Sequence, residues 1–475
     1  MLAVDLDNSL IKTDLLYETL VEGLSARPRR TFVALQSLAK GRAALKSALA
    51  ADSAIDVATL PYNQNVIQTI KDYRASGETV ILVSASDQRL VQAVADHLGL
   101  FDAAFGSQPS RNLKGARKAQ FLVETYGAGQ FDYVGDSPAD LAVWKQARKA
   151  ITVGLPPALR ASVDALGLPG GAAHLKEPSG RSGRFSDYRR ALRPPHWCKN
   201  LVVFIPAAAD HTVDPSVWAT VFCAFVVFCA MASGAYIIND LLDLKADRLH
   251  PHNKRRPFAD GSLPVMHGLL MAPALVGGGL LLSLAIMPAL FLFIVVGYFL
   301  LTTLYSFEIK KRLWVDLLVL TLLFLARMLG GTAAAGLDQS WWIIGAATPV
   351  FFALACIKRI KEITCYAKHG VTWVPGRAYT VNHRGILVAL ALAAGVAAVM
   401  VVIFYAFSRE ARDLYNSPDL LTLTGYILGI WIGLQLLRAR VQSVHQDTVT
   451  FTLRNWLTLV CGAAVGSLLL AADPL

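Results

Sequence analysis

The stretch 236-YIINDLLDLKADRLHPHNKRRP-257 sets Asp240, Asp243 and Asp247 directly behind an apolar run and follows them with Arg248, Lys254, Arg255 and Arg256. The spacing i, i+3, i+7 places the three carboxylates on one face of a helix that continues out of the apolar segment. Three like charges on one face repel each other unless a cation joins them. Mg²⁺ takes a few carboxylates together with phosphate oxygens, so this face suits a metal-bound diphosphate, and the arginines that follow suit its remaining anionic oxygens. A solvated loop beside a membrane is the bland reading. Against it, Asn239 and Asp240 abut the apolar run instead of lying in a spacer.

Outward from this stretch the chain divides. It has 475 residues, 54% hydrophobic and 17% charged, which is skewed toward membrane proteins. Residues 1–164 read as a soluble α/β domain, 165–190 as a Gly-, Pro- and Ser-rich basic linker, and 191–475 as a membrane domain. The net charge of +11 lies largely in loops between apolar segments, which fits membrane orientation and anionic substrates and gives no support to nucleic-acid binding. The six cysteines lack CxxC or paired-His spacing and read as small packing residues. The start, MLAVDLDN, lacks the basic and apolar regions of a signal peptide, so the first domain is expected in the cytoplasm.

Apolar segments fall at about 199–210, 216–238, 263–284, 286–305, 314–336, 341–357, 386–407, 420–437 and 453–472. The first is short for a bilayer. If it did not cross, a cytoplasmic N-terminus would force the loop carrying Lys245, Arg248, Lys254, Arg255 and Arg256 outside, against the positive-inside rule. The expectation is therefore an all-α bundle of nine transmembrane helices in a bacterial-type inner membrane, with both sites on the cytoplasmic face. Three further polar clusters fall on that face: Lys199 and Asn200 in 193-RPPHWCKN-200, Tyr305, Lys310 and Asp316 in 305-YSFEIKKRLWVD-316, and Lys358, Arg359 and Glu362 in 351-FFALACIKRIKEITCY-366. Polar groups entering apolar helices are costly and usually functional. Together with Asn239, these clusters are expected to surround one cavity.

In the soluble part, 3-AVDLDNSLIKTD-14 reads as a buried strand running out into Asp5 and Asp7, 79-TVILVSAS-86 as a strand ending in Ser84 and Ser86, and 131-FDYVGDSPAD-140 as one ending in Asp136 and Asp140. A helix over 114–127 carries Lys114 and Lys118 near its start. Carboxylates at the ends of parallel strands sit where open α/β sheets bind ligands. Acids, a hydroxyl and an ammonium in this order suit a magnesium-dependent phosphate site, with one carboxylate attacking phosphorus and others holding the cation.

These residues resemble the haloacid dehalogenase (HAD) phosphatase superfamily: DxDx[ST] at 5-DLDNS-9, a hydroxyl at Ser84, a lysine at Lys118 with Lys114 as competitor, and GDxxxD at 135-GDSPAD-140. Asn8 replaces the usual glycine. The resemblance implies a Rossmann-like fold with a helical cap from about Thr13 to Asp72. It also implies Asp5 as nucleophile and metal ligand, Asp7 as general acid and base, Ser84 and Lys118 as phosphate ligands, and Asp136 with Asp140 on Mg²⁺.

The membrane part resembles the UbiA superfamily of membrane transferases, most strongly at 239-NDLLDLKADR-248, which implies a nine-helix bundle around a polyprenyl chain. The second acidic motif of that family is incomplete, with Leu320 where a partner of Asp316 would stand. RPPHWCKN, KRRPFADGSL and KRIKE are similar to the branch typified by decaprenyl-phosphate phosphoribosyltransferase. That similarity implies attack of polyprenyl phosphate on phosphoribosyl diphosphate, with Asp240, Asp243 and Asp247 holding the donor's diphosphate through one or more Mg²⁺ and Lys199, Lys358 and Arg359 binding phosphates. The fused phosphatase would remove the 5-phosphate from the lipid-linked product. The expected partners are thus polyprenyl phosphate, phosphoribosyl diphosphate and the bilayer, with homo-oligomerisation left open. The alternatives are an aromatic-acceptor polyprenyltransferase and, outside enzymes, a lipid transporter with a phosphate-sensing domain.

Overall fold

A computed structural model of the chain describes residues 1–108, 111–175, 185–250, 253–368, 370–374, 377–441 and 456–472. The chain packs as two compact units, Met1–Leu192 with Tyr236–Ala272, and Arg193–Ala235 with Pro273–Leu475.

The first unit is built on six strands: β1 (Leu2–Val4), β2 (Val80–Asp87), β3 (Ala103–Ser107), β4 (Asp132–Gly135), β5 (Lys149–Val153) and β6 (Ala172–Leu175). They form one parallel sheet in the order β3-β2-β1-β4-β5-β6. Strand alternation divides the core. Leu2, Val4, Leu82 and Val134 face one layer of apolar side chains, while Ala3, Ile81, Val83 and Tyr133 face the other. β6 lies within the stretch read as a linker, where Ala172 to Leu175 pair with β5; the part at 176–184 lies outside the described residues.

Helices α1 (Leu15–Ala26), α2 (Pro28–Gln36) and α3 (Arg42–Ala51) form an insertion after β1, followed by α4 (Gln64–Ala75), α5 (Gln88–Leu98), α6 (Ala116–Tyr126), α7 (Leu141–Trp144), α8 (Pro157–Asp164) and α9 (Phe185–Leu192). The expected cap, Thr13 to Asp72, is shorter in the structure. Val66 and Ile70 of α4 are packed in the sheet's core, so only α1–α3 stand outside the α/β layers.

The remaining helices are α10 (Ile205–Ala209), α11 (Pro215–Leu242), α12 (Leu244–Leu249), α13 (Val265–Ile286), α14 (Ala289–Phe307), α15 (Val315–Ala335), α16 (Trp341–Lys368), α17 (Arg384–Ala406), α18 (Arg409–Leu414), α19 (Leu420–Val441) and α20 (Trp456–Ala472). Seven of them, α11, α13–α17 and α19, are long and apolar enough to cross a membrane. In the second unit, Leu281, Leu284, Phe293 and Leu300 face outward, an apolar surface suited to lipid. The chain is a multi-pass membrane protein.

The expected count of nine spans is therefore corrected to seven among the described residues. The segment at 199–210 is not one of these long helices: Pro194–Phe204 winds as 3₁₀ turns and α10 adds one short turn of helix. Pro206 stands in the first turn of α10, so the 3₁₀ turns and α10 do not merge into one long helix. At the other end the described part of α20 has 17 residues, roughly 25 Å at the helical rise, and is not counted among the seven.

One latch ties the sheet to its flanking helix. Asp132 accepts from Arg148 Nε and Nη2, both at 2.8 Å, and from the Tyr73 hydroxyl at 2.7 Å. Burial pushes its carboxyl up, but the hydrogen bonds from Arg148 and Tyr73 outweigh that and hold it below the usual carboxylate range. A carboxyl lowered on folding stabilises the protein fully above its unfolded value of about 4, and the contribution fades as pH falls through that value and below. Because Arg148 is half-exposed, the latch is worth about 1 kcal/mol. Asp132→Asn is expected to lower the thermal midpoint at pH 7, with the difference from wild type shrinking below pH ~4; equal differences at both pH values would rule the latch out.

Candidate functional site

β1 lies between β2 and β4, so the C-terminal ends of these three strands converge. This is the crevice where open α/β sheets hold ligands. Asp5 leaves β1, its N–H donating to the Val134 carbonyl at 3.0 Å. The chain then makes one wide turn closed by Leu10 N to Asp5 O (3.2 Å) and Ile11 N to Leu6 O (3.0 Å). Asn8, standing where glycine is usual, has φ +59°, a left-handed conformation that asparagine tolerates better than most residues.

Asp5, Asp136 and Asp140 bring one carboxylate oxygen each within 4.8 Å of one another. Hard oxygen donors in this number suit Mg²⁺. Lys118 Nζ donates to Asp5 Oδ1 at 2.7 Å and to the Tyr133 hydroxyl at 2.8 Å, and that hydroxyl donates to Asp140 Oδ1 at 2.8 Å. Of the two candidate lysines, Lys118 is buried against Asp5 and Lys114 is exposed. Burial raises Asp5 to about 7; Lys118 pulls against this, and Asp140 and Asp7 add to the rise. A cation among these three acids would hold Asp5 ionised. Gly135 is required here, because a Cβ would stand 2.9 Å from Asp140 Cγ and 2.8 Å from the Tyr133 ring.

Asp7 points the other way, held by Leu15 N (2.9 Å), Ser84 Oγ (3.1 Å) and Ser86 Oγ (2.5 Å). Ser84 thus donates to Asp7 in this structure. Lys46, from α3, donates to the Ala85 carbonyl at 3.0 Å and brings a second ammonium to the strand ends. Neither Tyr133 nor Lys46 was singled out from sequence. Tyr133 lies in an all-buried strand, and Lys46 in an amphipathic helix far along the chain.

The aspartate-rich stretch differs from the single helical face expected. α11 ends at Leu242, and Asp243 caps α12, although Asp243 N to Asn239 O (2.9 Å) and Asp247 N to Asp243 O (2.8 Å) keep the helical progression. Arg256 Nη1 bridges Asp240 Oδ1 (3.0 Å) and Asp247 Oδ2 (2.6 Å), and Asn253 donates to Asp247 Oδ1 at 2.9 Å. Among the described residues these carboxylates do not form a converging three-ligand group. A guanidinium provides the neutralisation that the spacing demands. Burial pushes Asp247 up to about 6 against the pull of Arg256. Arg248 turns to Glu18 instead, and Arg255 is exposed.

In the second unit, Arg359 is fully buried and donates to Asp316 Oδ2 (2.6 Å), Glu362 Oε2 (2.5 Å) and the Tyr305 hydroxyl (2.7 Å). Tyr379 donates to the other Asp316 oxygen, and Arg377 binds Glu362 at 3.0 Å. Lys358 and Lys310 are partly exposed nearby in sequence. Asn200 is buried and accepts from Arg327 Nε at 2.8 Å, while Lys199 is half-buried.

The family model "UbiA prenyltransferase family" matches residues 201–459, and "haloacid dehalogenase-like hydrolase" matches 4–145. The chain belongs to the UbiA prenyltransferase family. It is similar to the uncharacterized protein y4nM of Sinorhizobium fredii, 32% identical over 98% of this chain and 90% of that protein. Nodulation protein NoeC of Azorhizobium caulinodans is 30% identical over 59% of this chain and 92% of its own length. Decaprenyl-phosphate phosphoribosyltransferase of Corynebacterium glutamicum is 35% identical over 38% of this chain and 56% of its own. Two catalytic domains, a HAD-like hydrolase and a UbiA-family transferase, are thus joined in one chain.

Within the UbiA-family domain, sequence reasoning missed Arg327, Arg377 and Tyr379, whose partners lie far away in the chain. Only the rarity of a charge inside an apolar helix could have flagged Arg327. Asp316 offers no free second acidic motif, because Arg359 and Tyr379 occupy both of its oxygens. Removing one member of a buried pair leaves an uncompensated charge, at a cost on the order of 3–5 kcal/mol. Arg359→Met is therefore expected to depress the thermal midpoint in detergent sharply, and adding Asp316→Asn to recover part of the loss. A double variant as unstable as the sum of the single ones would argue against the pair.

Proposed function

We propose that this UbiA-family enzyme transfers 5-phosphoribose from phosphoribosyl diphosphate to polyprenyl phosphate, and that its HAD-like domain then removes the 5-phosphate. The observation that carries the reading is the second unit's cluster: Asp316 is tied up by Arg359 and Tyr379, and among the described residues of that unit no group of three acids gathers for a second metal-bound diphosphate, as an aromatic prenyltransferase would need. Support comes also from the similarity to decaprenyl-phosphate phosphoribosyltransferases.

With Arg256 turned from Asp240 and Asp247 to phosphate oxygens, these two and Asp243 would hold Mg²⁺ at the donor's diphosphate, where the cation would supply charge neutralisation for the leaving group. Arg256 and Arg255 stand beside them for diphosphate oxygens. Within the second unit, Lys199, Lys310 and Lys358 would offer positive charge to phosphate groups, with Arg359 fixed beside them in sequence by Tyr305 and Glu362 and Asn200 held by Arg327; Asn239 would serve the aspartate-rich stretch. The lipid phosphate oxygen bonds to the anomeric carbon as the bond to pyrophosphate breaks. Catalysis of this kind rests on orientation and electrostatics.

In the α/β domain Asp5 attacks the 5-phosphate, Asp7 protonates the ribose oxygen that leaves and then takes a proton from the attacking water, and Lys118 with Ser84 holds the phosphoryl oxygens. Asp5, Asp136 and Asp140 would hold the Mg²⁺ that offsets charge on the transferring group.

With α13–α14 and α15–α16 each crossing and recrossing, the basic loops after α11, α14 and α16 would lie on one side of the membrane. The positive-inside rule makes that side cytoplasmic, where phosphoribosyl diphosphate is made.

Membranes carrying the protein, incubated with polyprenyl phosphate, Mg²⁺ and ribose-labelled phosphoribosyl diphosphate, are expected to move label into the lipid phase. Asp240→Asn should reduce this at least 100-fold, on the order of 3 kcal/mol of transition-state stabilisation. No label in lipid under conditions where a control enzyme works would defeat the reading and turn the assay to prenyl diphosphates with aromatic acceptors.

A further inference from the structure

Arg248 belongs to the aspartate-rich stretch, yet its guanidinium is directed into the α/β domain. It grips Glu18 of α1 with two bonds, Nη1 to Oε2 at 3.1 Å and Nη2 to Oε1 at 2.6 Å, and both side chains are over 90% buried. Its Nε donates to the Ala259 carbonyl at 3.2 Å. The Thr13 hydroxyl donates to Glu18 Oε1 at 2.7 Å, so the carboxylate is fixed from both sides. A bidentate pair fixes orientation as well as distance. In this interior it also makes both groups dependent on each other, since neither charge is stable there alone.

A second contact stands on different physics. Gly261 has φ +76°, and a Cβ there would lie 2.7 Å from Lys12 Cβ and 3.2 Å from the Lys12 carbonyl. The 257–263 loop therefore touches the segment between Asp7 and Asp14 at a place where only glycine fits. A third contact, Lys245 to Asp56 at 3.5 Å, is exposed and contributes little. At the other end of the same local structure, α1 begins with Leu15 N on Asp7 Oδ1, and Asn8 N donates to the Thr13 carbonyl at 3.0 Å.

We propose that Glu18 is a positioning residue for the aspartate-rich site: by holding Arg248 and the 257–263 loop, it sets the separation of Asp240, Asp247 and Arg256. The hydrolase domain is then a structural part of the transferase site. Arg248 immediately follows Asp247, and Arg256, which bridges Asp240 and Asp247, opens the loop that Arg248 clasps at Ala259. Movement of Arg248 therefore moves the carboxylates. The inference rests on the reading of that stretch as a diphosphate site, and its test separates the two.

The full-length protein in lipid nanodiscs is titrated with Mg²⁺ and inorganic pyrophosphate, for wild type, Asp240→Asn, Glu18→Gln, Gly261→Val and the charge exchange Glu18→Arg with Arg248→Glu. Amide hydrogen exchange over 257–263 is measured in parallel. Glu18→Gln and Gly261→Val are each expected to weaken pyrophosphate binding at least tenfold and to speed exchange in the loop, and the charge exchange to recover at least part of both. A mere loss of fold would speed exchange throughout the sheet strands as well. Binding within twofold of wild type and unchanged loop exchange in Glu18→Gln would overturn the proposal. If wild type binds no pyrophosphate, or binds it independently of Asp240, the diphosphate reading fails. Loop exchange then still decides whether Glu18 holds the loop.

Discussion

Buried carboxylates in this chain are each matched to a fixed cation, and the arrangement of both units depends on that matching. Asp5 has Lys118, Glu18 has Arg248, Asp240 and Asp247 share Arg256, and Asp316 has Arg359. An isolated ionised acid in such surroundings would be too costly to retain, so each pairing specifies which chain segments must meet. The segments joined are distant in sequence: 113 residues separate Asp5 from Lys118, and 230 separate Glu18 from Arg248. Apolar packing fills the layers between them, but charge pairing selects the register of the polar ends.

The same constraint explains what could be read from the sequence and what could not. The strand ends carrying Asp5, Ser84 and Asp136 were legible because each follows a short β-rich apolar run. Parallel order then brings these ends together. Lys118 could not be separated from Lys114 by spacing alone, since the choice depends on which one α6 turns under Asp5. Tyr133, Arg327, Arg377 and Tyr379 were invisible because nothing local marks a residue whose partner lies in another element. Arg248 was read as a ligand for phosphate, and the structure gives its hydrogen bonds to Glu18 and Ala259.

The span count failed for a physical reason. The positive-inside argument needed an extra crossing at 199–210 to place the basic loop after α11, and that segment forms 3₁₀ turns and a short helix instead of one long apolar helix. Two long apolar helices, α13 with α14 and then α15 with α16, separate each basic loop from the next. Loop charge was poor evidence about helix number.

Joining a transferase to a hydrolase is economical if the second consumes what the first makes, and a short tether raises the local concentration of that intermediate. In the function proposed above, the two sites act in series on one lipid-linked pentose. The direct measurement is the number of phosphates per ribose on lipid recovered from wild type and from Asp5→Asn after single-turnover transfer. One phosphate per ribose, the bridging one, is expected from wild type and two from Asp5→Asn. Two from wild type, with the 5-phosphate untouched, would contradict it.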